Sequence, residues 1–364
     1  MKLRRVGILT GGGDCSGLNA VIRSVTRTVS LQHNAAVVGI QDGFDGLLAN
    51  RTQELTNQNT RDILTLGGTI LGTSNKGNPF EYREHDHDGT VRIRDYSEKA
   101  IKNFNRLMLD CLFVVGGEGT LLIGYEMYKR GVPVIGIPKT IDNDLKETDY
   151  TFGFQTAVQV ACDALDRLHT TGRSHQRVMI LEVMGRNAGW IALEAGIAGG
   201  AHIILIPEMP YQFDKVIEKI RLREAGGSPF SIVMVAEGAK EEDGEQVTQE
   251  SADERLQGVA QLGGVGFYLG DRIKKEVELE VRCTVLGHIQ RGGTPNSFDR
   301  VLGTRLGSYA VQAAAEEKFG CMVALKTPDL TLVPLEGLAG IVRTVPAQSQ
   351  LIQCAEAIGI SLGR

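Results

Sequence analysis

The chain alternates short apolar segments with amphipathic helical segments, and this alternation restricts its possible folds more than any other feature. The segment RRVGILT, for example, precedes a stretch in which apolar residues recur at the spacing of one helix face: Leu18, Val21, Ile22, Val25 and Val29. Further apolar segments of strand length follow: AAVVGI, DCLFVV, PVIGIP, RVMILEV, HIILIP, FSIVMVAEG and CTVLGH. Strands that alternate with helices pair in parallel. The pattern therefore predicts an α/β fold with two mainly parallel sheets covered by helices.

The length and charge of the chain narrow the class of protein further. At 364 residues it exceeds the ~250–300 residues beyond which one core stops growing, so we expect two lobes. The net charge of −5 argues against a broad nucleic-acid surface. Apolar runs are too short for a membrane span, and the N-terminal apolar run is too short for a signal peptide. The six cysteines lack CxxC spacing, as in reduced cytoplasmic proteins, so we expect a cytoplasmic protein.

Glycine clusters follow two of the predicted strands and form candidate anion-binding loops. Gly11–Gly13 lies between the first strand and a helix for which Ser16 is a candidate N-cap. Residues 116–119 occupy the equivalent place after DCLFVV, and Glu118 adds a carboxylate suited to magnesium. Backbone amides at a helix N-terminus bind anions, although glycine at such a turn is about as often purely steric. Each loop alone is therefore a weak indication.

A third loop carries charges where a buried strand ends. The segment PVIGIP is followed by Lys139, Asp142 and Asp144. Charged groups resist burial unless they are paired, and ligands of parallel sheets gather at the carboxyl ends of the strands. The sequence IDND also suits turn capping, which is the simpler alternative. Convergence with the two glycine loops favours a phosphate and metal site.

The second half of the chain supplies cations to this acidic protein. Five basic residues follow or flank predicted strand ends: Arg177, Arg186, Arg282, His288 and Arg291. A single arginine in such a place is usually a surface residue, but five together favour a phosphorylated small substrate. We therefore expect a nucleotide or polyphosphate with its metal on the first lobe and a sugar phosphate on the second.

Seven motifs resemble those of the 6-phosphofructokinase family, in the family's order, over about residues 6 to 300. They are GILTGGGDCSGLNAVIR, GGTILGT, VVGGEGT, PKTIDNDLKETDYTFGF, SHQR, EVMGRNAG and TVLGHIQRGGTPNSFDR. The resemblance implies two Rossmann-like lobes, Mg²⁺, phosphoryl transfer to the 1-hydroxyl of fructose 6-phosphate in glycolysis, and an allosteric homotetramer with shared active sites. It implies a nucleotide and metal lobe of residues 1–153 plus about 290–340. Residues 154–289 and the C-terminal segment would form the sugar-phosphate lobe.

The resemblance also implies roles for individual residues. Asp142 matches the family's catalytic base, and the neighbouring Asp144 matches a residue of the metal environment. Thr140 matches a residue that contacts the transferred group, and Gly12 matches a glycine whose amide donates to phosphoryl oxygens. The positions that match the ATP site are Gly12, Lys76, Gly117, Glu118, Gly119 and Thr120, with Glu118 as the metal ligand. The positions that match the sugar site are Met184, Gly185, Arg186, Glu208, His288 and Arg291, with Arg177 and Arg282 reaching a neighbouring subunit.

Two positions bear on the phosphoryl donor, and one departs from the family pattern. Gly119 leaves room for a nucleotide where pyrophosphate users commonly have aspartate, whereas Lys139 is typical of pyrophosphate users. Steric room is the harder requirement, so we expect ATP, with pyrophosphate-dependent transfer as the alternative. A non-catalytic regulatory subunit is a further alternative, which the retained Asp142 disfavours. Where the bacterial enzymes place a bridging arginine this chain has Asn75, and Lys76 can supply a point charge instead.

The resemblance finally bears on regulation. Arg23 and Arg27 match basic residues of the bacterial effector pocket, but other matching positions are Asn57, His169 and the lysine-free AGGSPF. A pocket with fewer cations binds nucleotide diphosphate or phosphoenolpyruvate weakly. We therefore expect the usual bacterial activation and inhibition to be altered or absent.

Overall fold

The structure is a computed structural model that describes residues 1–85, 91–249, 261–338 and 340–364. Its strands are β1 Arg5–Thr10, β2 Ala36–Ile40, β3 Thr52–Leu55, β4 Tyr82–His85, β5 Val91–Arg94, β6 Cys111–Gly116, β7 Val134–Thr140, β8 Phe152–Gly153, β9 Val178–Val183, β10 Ile203–Leu205, β11 Ser231–Ala236, β12 Thr248–Gln249, β13 Gln261–Leu262, β14 Val281–Val285, β15 Cys321–Lys326 and β16 Asp329–Pro334. Its α-helices are α1 Leu18–His33, α2 Phe44–Ala49, α3 Ser97–Arg106, α4 Glu118–Lys129, α5 Phe154–His175, α6 Trp190–Ala198, α7 Phe213–Ala225, α8 Val265–Ile273, α9 Ser297–Ala315 and α10 Gln350–Ala357. Short 3-10 helices span Gly287–Arg291 and Leu335–Leu338.

The chain forms two compact units, each with its own sheet. Unit 1 comprises Met1–Ile141, Leu145–Gln155 and Arg291–Ile341, and unit 2 comprises Asp142–Asp144, Thr156–Gln290 and Val342–Arg364. Residues 142–144 were expected in the first lobe, whereas in the structure they group with unit 2. The reason is local, because Arg343 of unit 2 donates hydrogen bonds to the backbone carbonyls of Asn143 and Asp144.

The sheet of unit 1 is mainly parallel and brings the three candidate loops to one edge. Its strand order is β16-β15-β7-β6-β1-β2-β3, with β8 paired to β7, and only β3 and β16 join it antiparallel. The adjacent strands β7, β6 and β1 are almost wholly buried, because apolar side chains cover both faces. Neighbours in the register include Thr10 with Val115 and Gly116 with Pro138, so the loops that follow these strands start side by side.

The start of α1 corrects one expectation about capping. Ser16 was the candidate N-cap, but Gly17 occupies that position with a φ of 111°, and no side chain caps the helix there. The hydroxyl of Ser16 instead donates to the carbonyl oxygens of Gly292 (3.2 Å) and Gly293 (2.8 Å). A positive φ is accessible to glycine at little cost, and it turns the chain so that Ser16 faces the segment before α9.

The sheet of unit 2 is smaller and fully parallel. Its strand order is β10-β11-β9-β14, and its core contains apolar residues of the strands and of α7 and α8, such as Ile180, Val233 and Leu269. α10 packs against α6 in the same unit. The two sheets and their helices confirm the predicted α/β class. None of the helices in the described ranges is both long and apolar enough to cross a bilayer.

A half-buried histidine of unit 2, His202, makes the stability of the fold depend on pH. His202 Nδ1 accepts a hydrogen bond from the Ile232 backbone N–H at 2.9 Å, which requires an unprotonated nitrogen. Burial, and then the positive charge of Arg223, lower the pKa of His202 to about 3, and His169 and Lys219 act in the same direction. The folded state therefore resists a proton that the unfolded chain accepts below about pH 6.5.

We expect the contribution of His202 to stability to be present above pH 6.5 and to fall as the pH decreases toward 3. After allowance for the partial exposure of the ring, the loss between pH 7 and pH 5 is about 1 kcal/mol. Thermal unfolding at both pH values checks this, with His202→Asn as a variant that retains an acceptor and cannot titrate. An equally large pH effect in that variant would contradict the prediction.

Candidate active site

The glycine loop after β1 surrounds a buried ammonium group in unit 1. Gly12 has a φ of 77°, and a methyl group built on it would lie 3.3 Å from Lys139 Nζ, 3.5 Å from Thr120 Oγ1 and 3.9 Å from Asn75 Oδ1. Lys139 is only 4% exposed, and its Nζ donates to the Gly13 carbonyl oxygen at 2.5 Å. The end of β7 therefore places a positive charge against the glycine loop, where a phosphate group can be bound.

Glycines of this region serve two different physical purposes. A Cβ on Gly11 would come within 2.7 Å of Thr120 Cγ2, and one on Gly116 would also collide with the Thr120 side chain. These two glycines therefore allow the first turn of α4 to pack on β1 and β6, which is the steric explanation. A Cβ on Gly119 meets nothing within 4 Å, and Gly117 is the N-cap of α4. The exposed Gly119 thus borders open space at a helix N-terminus.

The amide of Gly12 differs from its expected role. It was expected to meet phosphoryl oxygens, but in the structure it donates to the Ser74 carbonyl oxygen at 3.1 Å. The hydroxyl of Thr73 donates in turn to the Gly12 carbonyl oxygen at 2.5 Å, so the loop after GGTILG closes on Gly12. Lys76 lies exposed on the same loop, and its amide donates to Ser74 Oγ at 3.1 Å. A phosphoryl contact would require the Gly12 amide to exchange its acceptor.

Glu118 is the residue of unit 1 that could hold a metal ion. It begins α4, is half-buried, and its Oε1 accepts a hydrogen bond from the Gly340 backbone N–H at 2.6 Å. In the described part of the chain, no three histidine, cysteine or acidic residues are grouped closely enough to form a metal site. Magnesium in phosphoryl-transfer sites is commonly held by one or two carboxylates together with substrate phosphates. A single carboxylate beside the glycine loops fits an ion that binds together with its nucleotide.

The acidic loop that follows β7 is buried in unit 2. Asp142 is 6% exposed and Asn143 is 1% exposed, and Asn143 adopts a left-handed conformation with a φ of 52°. Upstream in unit 1, the Thr140 carbonyl oxygen accepts from Thr151 Oγ1 at 2.7 Å, which fixes the end of the strand. A buried carboxylate on a tight turn is costly unless neighbouring groups compensate it. The burial of Asp142 and Asn143 thus distinguishes this loop from a solvent-exposed turn.

A second loop of unit 2 is electrostatically coupled to Asp142. The backbone amides of Gly185 and Arg186 donate to Glu237 Oε1 at 3.3 and 2.9 Å, and Arg186 is held with a φ of 51°. Burial raises the pKa of Glu237, and the negative charge of Asp142 raises that pKa further. The structure therefore brings the predicted base and the predicted sugar-binding loop into one neighbourhood of unit 2.

Two residues that support this loop were missed by the sequence analysis. Glu237 binds the two amides of the Gly185–Arg186 turn, and Gln290, which is 1% exposed, accepts from the Met184 backbone N–H at 2.8 Å. Glu237 directly follows the apolar segment FSIVMVA, so it shows the signal that selected Lys139, namely a charge at the end of a buried strand. Gln290 offers no comparable signal.

The two arginines expected to reach a neighbouring subunit lie together within this chain. β9 and β14 are adjacent, with Arg282 opposite Met179 in the register. The guanidinium groups of Arg177 and Arg282 both donate to the carboxylate of Glu280. One acidic residue therefore binds two arginines at the edge of the unit 2 sheet, and their predicted contact with a second subunit stays a prediction.

The remaining predicted sugar-site residues have different surroundings. Glu208 Oε1 accepts from the backbone amides of Gly189 (3.0 Å) and Val345 (2.8 Å), and burial raises the pKa of its carboxyl group. His288 is exposed on the 3-10 helix after β14. Arg291 belongs to unit 1, where its guanidinium lies against the glycine loop. Glu208 therefore anchors backbone amides of unit 2, and Arg291 lies against the glycine loop that follows β1.

Two of the predicted effector residues lie on α1 of unit 1. Arg23 and Arg27 are half-buried on that helix. Asn57 Nδ2 donates to Ser30 Oγ at 3.0 Å, and the ring of His169 in unit 2 forms a hydrogen bond to a backbone carbonyl oxygen at 2.8 Å. Neither of these two positions carries an arginine or a lysine.

Comparison with known proteins shows the family to which the chain belongs. The family model described as Phosphofructokinase matches residues 5–314. A relative named ATP-dependent 6-phosphofructokinase 2, from Clostridium perfringens, is 48% identical over 99% of this chain and 98% of its own. A relative named pyrophosphate–fructose 6-phosphate 1-phosphotransferase, from Amycolatopsis methanolica, is 46% identical over 94% of this chain and 97% of its own.

The fold has solved counterparts as well. The phosphofructokinase structure from Saccharomyces cerevisiae superposes with a TM-score of 0.76 at 29% identity, and the match covers 92% of this chain and 45% of that one. The family model spans the unit 2 sheet, the unit 1 sheet except β15 and β16, and all three loops at the carboxyl ends of β1, β6 and β7. The chain is therefore a member of the phosphofructokinase family.

Proposed function

We propose that the protein transfers the γ-phosphoryl group of ATP to the 1-hydroxyl of fructose 6-phosphate, giving fructose 1,6-bisphosphate and ADP. The observation that carries the proposal is the placement of Asp142. It lies two residues beyond Thr140 and three beyond Lys139, whose buried ammonium group donates to the Gly13 carbonyl oxygen. Its charge acts on Glu237, which accepts a hydrogen bond from the Arg186 amide. Asp142, the proposed base, therefore follows the proposed phosphate-binding residue Lys139 closely in the chain. Within unit 2 it lies near the Gly185–Arg186 turn, which is the proposed sugar-binding turn.

The chemistry follows from these positions. Asp142 accepts the proton of the 1-hydroxyl, whose oxygen then forms a bond to the γ-phosphorus. The bond from that phosphorus to the β–γ bridging oxygen breaks, and ADP leaves with its electron pair. Positioning and charge neutralisation dominate such a transfer, and Lys139 supplies one fixed cation beside the glycine loop. Mg²⁺, with Glu118 as its ligand, would neutralise charge on the phosphoryl oxygens when bound. A role of Asp144 in the metal environment is implied by the family resemblance alone.

Arg177 and Arg282, the arginine pair of unit 2, support the proposal that the acceptor is phosphorylated. Substitution of either arginine tests the proposed site for fructose 6-phosphate. Arg177→Gln or Arg282→Gln is expected to raise the KM for fructose 6-phosphate roughly 10–100-fold, because each removes a charge-assisted hydrogen bond of about 1.5–3 kcal/mol. The KM for ATP should change little. Steady-state assays at saturating ATP measure the effect.

A matched control for the arginine pair is Arg221→Gln. Arg221 is also an exposed arginine of unit 2 and is paired with Glu276 at 3.3 Å. It should leave both KM values unchanged. If the KM for fructose 6-phosphate were the same in the Arg177, Arg282 and Arg221 variants, Arg177 and Arg282 would not belong to the sugar site.

The donor is assigned to ATP because Gly119 borders open space, as a nucleotide requires. The buried Lys139 and the pyrophosphate-named relative at 46% identity favour the alternative, a pyrophosphate-dependent phosphotransferase. A screen of ATP, ADP and pyrophosphate with fructose 6-phosphate and Mg²⁺ tests the assignment. If turnover with pyrophosphate exceeded turnover with ATP, the protein would be a pyrophosphate-dependent phosphotransferase instead. If no donor supported turnover, the remaining alternative would be a non-catalytic regulatory subunit.

Assembly, regulation and location belong to the same proposal. A cytoplasmic homotetramer with Arg177 and Arg282 contributing to a neighbouring active site is the arrangement implied by the family resemblance. With Asn57 and His169 at positions where the family's bacterial enzymes have cations, the effector response is expected to differ from that of the usual bacterial enzymes. Strong cooperative inhibition by phosphoenolpyruvate in steady-state assays would contradict this.

A further inference from the structure

The segment that follows unit 1 near the C-terminus contacts the acidic loop directly, through Arg343. The Arg343 backbone N–H donates to the Asp144 carbonyl oxygen at 2.7 Å, and its guanidinium Nη1 donates to the Asn143 carbonyl oxygen at 3.2 Å. All three residues belong to unit 2. Two consecutive carbonyl groups of the loop that carries Asp142 are therefore bound by one residue about 200 positions away in the sequence.

Arg343 is itself fixed by Trp190, at the start of α6. The indole Nε1–H donates to the Arg343 carbonyl oxygen at 2.9 Å, and the centre of the guanidinium lies 4.4 Å from the centre of the indole ring. A guanidinium stacked on tryptophan loses part of its rotational freedom, and its planar donors then point in one direction. We call Arg343 and Trp190 together the Arg343 clamp.

A second contact anchors the same segment two residues further on. Glu208 Oε1 accepts from the backbone amides of both Val345 and Gly189, and Gly189 is the N-cap of α6. Burial raises the pKa of the Glu208 carboxyl group, and the two amide hydrogen bonds act in the opposite direction. Residues 343 and 345 are thus tied to the first turn of one helix, which makes the clamp a rigid support.

The loop needs such a support because its conformation is not one that the chain adopts readily. Asn143 has a φ of 52°, in the left-handed region, and it is 1% exposed. Conformations of this kind persist when surrounding contacts over-determine them, and they occur at functional sites. Catalytic groups must be held within about 0.5 Å of their productive position. A change in the Asn143 peptide would move the adjacent Asp142 directly.

We propose that Arg343 is a positioning residue that holds loop 142–144 so that Asp142 is aligned with the acceptor hydroxyl. This inference rests on the proposed function, because it presupposes that Asp142 is the base. It extends the functional region into residues 342–345, which lie beyond the residues 5–314 matched by the family model. Arg343 touches neither substrate in this proposal and acts on turnover through the backbone of the loop.

The test is Arg343→Ala, which removes the stacked guanidinium and its bond to Asn143. The backbone bonds to Asp144 and Trp190 can persist, so the variant is expected to fold. We expect kcat to fall about 10–100-fold, as for misplacement of a catalytic group by about 1 Å, with KM for ATP and fructose 6-phosphate within about threefold. Arg343→Lys should recover part of the rate, because an ammonium group can still donate to a carbonyl oxygen.

Fluorescence provides a readout that does not depend on activity. Trp190 is the only tryptophan of the chain and is 6% exposed, so its emission reports on the clamp alone. Arg343→Ala should shift that emission to longer wavelength and increase its quenching by acrylamide. The matched control is Arg364→Ala, which removes the bond from Arg364 to Glu356 in the same C-terminal segment. It should leave kcat and the emission at their wild-type values.

The outcomes separate the two proposals. Wild-type kcat in Arg343→Ala with altered Trp190 emission overturns the positioning role, while the proposed function stands. Wild-type kcat in an Asp142 variant overturns the proposed mechanism itself. If Arg343→Ala does not fold, Arg343→Met retains the apolar stem on Trp190 without a donor. An unreduced kcat in that variant likewise overturns the positioning role.

Discussion

Replacing Asp142 with serine is expected to lower kcat about 10²–10⁴-fold, the usual contribution of a general base. The carboxylate is 6% exposed and lies on a loop joined to the end of β7, so no solvent group can take its place at the acceptor hydroxyl. Binding of fructose 6-phosphate should be retained, because the proposed phosphate contacts belong to Arg177 and Arg282. The loss is thus expected in turnover rather than in KM.

The rate should be measured under saturating ATP and fructose 6-phosphate, with sugar-phosphate binding measured separately by calorimetry. Asp142→Asn tests the same role without a change in side-chain size, and it should lose activity to a similar extent. Asp163→Asn is the control, because Asp163 is an exposed carboxylate of α5 that accepts from Gln159 at 2.8 Å. A kcat within a few-fold of wild type in both Asp142 variants would show that another group removes the proton.

Introducing aspartate at Gly119 is expected to reduce kcat/KM for ATP by about 100-fold, equivalent to about 2.7 kcal/mol. A Cβ at this position meets nothing within 4 Å, so a carboxylate enters the open space that a nucleotide would use. Its negative charge repels the α-phosphate there. Folding should be unaffected, because an acidic residue in the first turn of α4 is favourable by ~0.3–1 kcal/mol.

Two variants separate the possible causes of that effect. Gly119→Ala adds bulk without charge and should retain most of the ATP-dependent activity. Gly337→Asp adds a carboxylate at another open glycine of unit 1 and should have no effect. Assays with ATP and with pyrophosphate, each as sole donor, are needed for all variants. If Gly119→Asp lowered activity with both donors equally, Gly119 would not determine donor choice.

Much of the fold and of the site was predictable, because local signals coincided with strand ends. Lys139 was selected as a charged residue directly after an apolar segment, and Glu118 as the carboxylate of a glycine cluster that follows one. Parallel pairing then requires the ends of neighbouring strands to share one edge. β7, β6 and β1 are indeed adjacent. The same rule selects Glu237, the charged residue that directly follows the apolar segment FSIVMVA.

Other features could not be predicted, because they depend on contacts between residues far apart in the sequence. The Gly12 amide was expected to be available to phosphate, but the loop of Ser74 accepts its hydrogen bond. Serine is a common N-cap residue, yet the hydroxyl of Ser16 donates to the carbonyl oxygens of Gly292 and Gly293. In each case a segment more than 50 residues away competes for the group, and sequence patterns describe only local competition.

The amino-acid sequence by itself determined the α/β class, the division into two units and the residue types offered at the strand ends, because these follow from local periodicity and from the length of the chain. Only the tertiary structure decided how the acidic loop is held. The stacking of Arg343 on Trp190 and the donation from Arg343 to Asn143 join three segments that share no pattern. Such contacts form because packing brings the segments together, and their geometry depends on distances that no local sequence signal encodes.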